Sequence, residues 1–138
     1  MNPVSVDIKT VLVAEGIGTF AATSGWCINV GTEIDSPSTM ITLYDTPGAP
    51  PVVSFDKTKP PFERPGLQIR VRGTYVAAYT KIQAIMTLLD GDYREHWDSG
   101  TTRYEGVFRA GNPSHIGQDD KGRDIWVLNY RIGRESRA

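Results

Sequence analysis

One cysteine, two histidines and no long apolar run leave this chain of 138 residues with few of the side chains that familiar catalysis uses. Cys27 alone makes no internal disulfide and cannot begin a cysteine-rich zinc site. Lying inside an apolar run, it reads as a small buried side chain. Histidine is the commonest general base near neutral pH, yet His96 and His115 both lie in polar, turn-rich surroundings without an obvious partner. A Gly-x-Ser-x-Gly elbow, a Walker phosphate loop, a dinucleotide Gly-x-Gly-x-x-Gly and a His-Glu-x-x-His helix are all missing. Gly16-Ile17-Gly18 lacks the third glycine and follows a helical pattern, so it reads as a helix stop.

Charge of one sign is missing as well. Fifteen basic residues face sixteen acidic ones, for a net charge of -1, so there is no bulk field to draw in nucleic acid or an anionic membrane. Any charge-driven contact must come from a local patch. No segment approaches roughly 18 consecutive apolar residues, and residues 1–9 carry neither the basic stretch nor the apolar core of a secretory signal. The expectation is a soluble protein made in the cytoplasm, with no membrane partner.

What is present suits a globular fold: 39% hydrophobic and 22% charged residues, in a length that one domain over residues 1–138 would use. Val4, Ile8, Val11 and Leu12 lie on one helical stripe that stops near Gly16. Residues 26–30 and 39–44 are rich in β-branched and aromatic side chains and read as strands. The Ser36-Pro37-Ser38 turn between them suggests an antiparallel pair. Leu67, Ile69 and Val71 alternate with Gln68, Arg70 and Arg72 in the clearest strand pattern. After Gly73, the positions Tyr75, Ala78, Tyr79, Ile82, Ile85, Met86 and Leu89 step by three and four, which predicts a long helix packed on the sheet. Residues 90–102 read as a polar loop, residues 104–110 as a strand, and residues 115–117 as a short segment between turns. A last strand over residues 124–132 carries apolar groups on both faces, as a strand covered on both sides would. Residues 133–138 read as a frayed tail. The sum is an α+β fold: a mostly antiparallel or mixed sheet with two helices on one face.

Residues 45–65 differ in kind, holding six of the nine prolines. Proline removes a ladder donor and fixes φ, so this stretch should be neither helix nor central strand, with only Val52-Val53-Ser54-Phe55 able to pair. It reads as a long arm or loop, either mobile or ordered by something outside the domain.

Two clusters invite a chemical reading. Residues 90–98 gather oxygen ligands and an imidazole in one loop, of which a small metal-dependent or acid-base enzyme would use Asp90, Asp92, Glu95 and His96. The spacing fails the calcium-loop pattern, and a solvated loop with Tyr93 and Trp97 packing it down is the plainer reading. Arg64, Arg70 and Arg72 make a basic strip with only Tyr75 nearby, which fits salt bridges or a subunit contact better than stacked nucleic acid.

The run Phe62-Glu63-Arg64-Pro65-Gly66-Leu67-Gln68-Ile69-Arg70-Val71-Arg72-Gly73, with the helix after it, resembles the tail terminator family of long-tailed bacteriophages, often labelled minor capsid proteins. An Arg-Pro-Gly turn feeding an apolar-basic strand and then a helix is typical of that family. Gly111-Asn112-Pro113, the run from Ile116 to Arg123, and Trp126-Val127-Leu128-Asn129-Tyr130-Arg131-Ile132 are similar to its last two strands. Residues 90–102 are longer and more charged than the family leads one to expect. The resemblance implies a structural virion protein with no cofactor, no metal and no catalysis. It would form a ring, typically of six subunits, that caps the tail tube, stops its growth and offers its other face to the head-tail connector. DNA would pass through the ring without sequence-specific binding. The residues expected at subunit or tail-tube contacts are Phe55, Phe62, Arg64, Gln68, Arg70, Arg72 and Trp97. Another head-tail connector or tail completion protein is the alternative within the same class.

Overall fold

A computed structural model describes residues 1–53 and 55–137. The elements run α1 (Val4–Ala14), β1 (Thr19–Phe20), β2 (Cys27–Val30), β3 (Met40–Val52), β4 (Phe62–Gly73), α2 (Tyr75–Leu89), a single 3-10 turn (Asp92–Arg94), β5 (Trp97–Ser99), β6 (Thr102–Arg109), β7 (Ser114–Gln118) and β8 (Asp124–Ser136). The strands form one mixed sheet in the order β1-β2-β3-β4-β8-β6-β5, with β7 also pairing β8. This is the expected α+β architecture. Among the described residues no helix is long and apolar enough to cross a membrane.

Alternation along the strands decides the layers. Ile41 and Leu43 of β3, Leu67, Ile69 and Val71 of β4, and Trp126, Leu128, Tyr130 and Ile132 of β8 point to one face. There they meet Val4, Ile8, Val11 and Leu12 of α1 and Ala78, Ile82, Ile85 and Leu89 of α2 in one hydrophobic cluster. Two members of the expected α2 stripe, Tyr75 and Tyr79, are exposed outside it, and a third, Met86, is half-buried against its edge. Only the line of Ala78, Ile82, Ile85 and Leu89 faces the sheet squarely enough to be fully buried.

The end of α1 shows how distant residues stabilise local structure. Pro3 supplies no side-chain cap, and Asp45 of β3 takes that role, accepting from the Ser5 N–H at 3.0 Å and from Ser5 Oγ at 2.5 Å. A carboxylate there also meets the positive end of the helix dipole.

Several expectations are corrected. β2 and β3 run parallel, Cys27 beside Met40 and Val30 beside Leu43, because residues 31–39 cross back over the sheet instead of turning tightly. The proline-rich stretch is largely a strand pair: β3 continues to Val52 and pairs with β4 through Ala49↔Arg64 and Val52↔Phe62. Past Leu43, β3 has no neighbour on its outer side, so Pro47, Pro50 and Pro51 sit on an edge, where a missing N–H costs little. Pro65 lies inside β4, between β3 and β8, where the β3–β4 register shifts between Thr46 and Ala49. The expected pairing of Val52-Val53-Ser54-Phe55 holds only for Val52, and Ser54 lies outside the described residues. Residues 90–102 contain a 3-10 turn and β5, and the last strand extends to Ser136, paired with Thr102. The end expected to fray is thus held by the sheet, apart from Ala138, which is not among the described residues.

Candidate functional site

The face of the sheet opposite the helices has two parts. At the end where β4 finishes, residues 31–39 cover it, and Cys27, Met40, Thr42 and Arg72 are buried beneath them. Arg72, 3% exposed, is the fastener. Its guanidinium donates to the carbonyls of Asp35 (3.1 Å), Pro37 (2.7 Å) and Ser38 (3.3 Å), and pairs with Glu33 at 3.3 Å. Arg123 braces the same loop through Asp35 at 2.9 Å while also holding Asp119 at 2.7 Å. Hydrogen bonds from Lys121 and Arg123 keep the Asp35 carboxyl below its ordinary range.

The rest of this face is open. Arg70 is 28% exposed and lies 3.5 Å from Glu33. Gln68 donates to Asn129 at 3.4 Å. Arg64, whose Nε donates to the Pro50 carbonyl at 2.7 Å, and Arg131 of β8 are both exposed. Around these two arginines is a trough of about 530 Å³ flanked by Phe62 and Phe108. Phe62 lies over Gly133, where a Cβ would come within 2.6 Å of its ring. The face can therefore offer guanidinium donors and aromatic surface to a partner.

Beyond it lies the connection from β3 to β4, the segment read from the sequence as an arm. Val52 and Val53 are exposed and Phe55 is fully so. The Asp56 carboxylate accepts from the Thr58 N–H at 3.0 Å and its hydroxyl at 2.7 Å, a local turn that also depresses the carboxyl's pKa. Gly48, with φ of +64°, lies against the Arg64 carbonyl, where a Cβ would stand at 2.2 Å. The two strands of the arm therefore need glycine there.

The expected contact residues thus separate. Phe62, Arg64, Gln68 and Arg70 share the open face, Phe55 stands at the arm, Arg72 is consumed inside the chain, and Trp97 lies on the helix side of the sheet. Trp97 stacks on Tyr104 with centroids 4.0 Å apart and planes 7° from parallel, and meets Tyr93 edge-on, so it packs its loop down. The carboxylates of that loop do not converge. Asp90 pairs with Arg109 at 3.0 Å, and His96 pairs instead with Glu105 of β6 at 2.6 Å. Among the described residues no group of three or more His, Cys, Asp or Glu is placed to hold a metal ion.

Sequence reading missed Asn129, Arg131 and Phe108, which strand register brings beside Gln68, Gly66 and Arg131 respectively. The usable signal was present, since Asn129 and Arg131 are polar positions in an otherwise apolar strand. It also missed a second surface where α2 begins. Tyr75, Tyr79, His115 and Trp126 pack with ring centroids 4.7–5.3 Å apart, the Trp126 Nε1 donating to the Tyr75 carbonyl at 3.2 Å. His115 Nε2 lies 2.9 Å from Asp124. Tyr75, Tyr79 and Trp126 line a groove of about 540 Å³ with Met86, Asn112 and Pro113.

The buried polar groups serve the fold. Tyr104 donates to Asp7 at 2.5 Å, and Arg134 bridges Tyr104 (3.2 Å), the Asn2 carbonyl (2.7 Å) and Glu63 (3.0 Å). Burial first, then the bond to Asp7, pushes the Tyr104 phenol far above its ordinary value. This network ties Asn2 and α1 to β4, β6 and β8.

A comparison with curated proteins found no match. The family model of the bacteriophage tail terminator protein matches residues 12–135, which takes in α2 and every strand but for the last residue of β8. The chain belongs to that family and is a structural component of a phage tail.

Proposed function

We propose that this chain acts as one domain that assembles into a ring, six subunits in number, which caps the head-proximal end of the tail tube, stops its polymerisation and joins it to the head-tail connector. The ring is put together in the host cytoplasm and lets DNA pass without reading its sequence. It performs no catalysis. The observation that carries this reading, beside the family, is the β3–β4 arm. It leaves Val52, Val53 and Phe55 exposed together where β3 joins β4, apolar surface that a neighbouring subunit would cover. The open face bearing Phe62, Arg64, Gln68 and Arg70 is the second contact surface, toward a neighbour or the tube protein. Arg72 and Trp97 serve it indirectly by holding residues 31–39 and 90–99 in place.

The test is electron microscopy of purified protein mixed with tail tubes. Rings seated on one end of each tube, and tubes that no longer elongate, are the expected result. Protein bound along tube walls, or tubes that keep growing, would overturn the reading.

A further inference from the structure

Among the described residues, seven of the twelve large apolar side chains left exposed stand at two places: Val52, Val53 and Phe55 on the arm, and Tyr75, Val76, Tyr79 and Ile116 around the start of α2 and in β7. Strand β4 separates the two places, beginning beside the arm at Phe62 and ending at Gly73, just before Tyr75. Its length is roughly 36 Å. The Val52↔Phe62 pairing points the arm away from α2, so the two surfaces of one molecule do not meet.

We propose that residues 55–61 of one copy dock in the aromatic groove beside α2 of a second copy. The groove is lined by Tyr75, Tyr79 and Trp126, of which the two tyrosines are exposed. The docking segment, Phe55-Asp56-Lys57-Thr58-Lys59-Pro60-Pro61, brings two consecutive exposed prolines outside any regular element. Proline rings lie flat on aromatic faces, and their restrained backbone loses little entropy on binding. Charge agrees. Lys57 and Lys59 are exposed, and no acid partner for either is found among the described residues. Exposed tyrosine rings attract cations, and exposed Asp120 stands on the β7–β8 turn at the same end of the molecule. Because arm and groove are different patches at opposite ends of β4, the contact is head-to-tail, the kind that closes into a ring when the rotation permits. The inference rests on the ring reading and names its contact.

Two full-length variants test it. One alters the arm, Phe55→Glu with Lys57→Glu and Lys59→Glu. The other alters the groove itself, Tyr79→Arg with Asn112→Arg. All five side chains are exposed, so circular dichroism should be unchanged for both. In sedimentation velocity each variant alone should run as a monomer, while an equimolar mixture gives a one-to-one dimer and nothing larger, because only one intact arm meets one intact groove. Either variant assembling like wild type, or a mixture that stays monomeric, overturns the docking. If both variants still form wild-type rings, the ring reading survives and this contact does not. A wild-type chain that remains monomeric in solution and on tail tubes removes both.

Discussion

Arg72 lies 3.3 Å from Glu33, and Arg70 reaches the same carboxylate at 3.5 Å, yet the first is buried and the second 28% exposed. That difference separates two residues that look equivalent in sequence. Removing Arg72 leaves Glu33 and three loop carbonyls short of donors, so Arg72→Ala should cost about 3 kcal/mol. Arg70→Ala should cost under about 1 kcal/mol, as exposed pairs do. Urea unfolding of both variants measures this, and equal losses would show that residues 31–39 are not held by Arg72.

The core divides α2 in a similar way. Ile82→Ala and Leu89→Ala remove fully buried side chains and should each lower stability by about 2–5 kcal/mol. Val76→Ala, on the exposed side of the helix, should change it by less than about 0.5 kcal/mol. Chemical denaturation of the three variants decides whether this helix face is the one that packs.

Alkali should act through two tyrosines. Burial is the main cause that raises the Tyr104 and Tyr130 phenols well above the ordinary 10.0. A raised folded pKa means stability is fully present below 10 and is lost as pH climbs above it, because only the unfolded chain ionises there. Each group contributes a slope of about 1.4 kcal/mol per pH unit. Phenolate absorbance during a pH titration should show these two tyrosines ionising only when the protein unfolds. Smooth titration of all six near 10 would contradict their burial.

Acid should act on residues 31–39. Asp35 is held below 3.8 by Lys121 and Arg123, and Asp119 by the Arg123 backbone N–H foremost. A depressed folded pKa gives stability that is present above 3.8 and disappears as pH falls through the folded value. Asp119→Asn should therefore lower the melting temperature at neutral pH, and the wild-type and variant curves should converge below pH 3.8. A gap that persists unchanged into strong acid would mean the carboxylate's charge is not what anchors the loop.

How far the sequence reaches can be judged element by element. α2 and the alternating half of β4 are periodic over ten residues or so, and periodicity is a local property that any compact fold must respect. Hence Leu67, Ile69, Val71, Ile82 and Leu89 were readable as core while Tyr79 and Met86 were misread as fully buried, the α+β class followed, and the string from Glu63 to Gly73 carried the family. Register between distant strands is not local. Whether Arg131 stands beside Gly66, whether β2 runs parallel to β3, and whether prolines 47, 50 and 51 face an open edge depend on which strands become neighbours. Backbone pairing between residues dozens of positions apart settles that, and no short window records it. Arg70 and Arg72 show the division most plainly. The sequence placed both on the face opposite the core, and only the fold, by laying residues 31–39 across one of them, made Arg72 an internal fastener and left Arg70 facing outward.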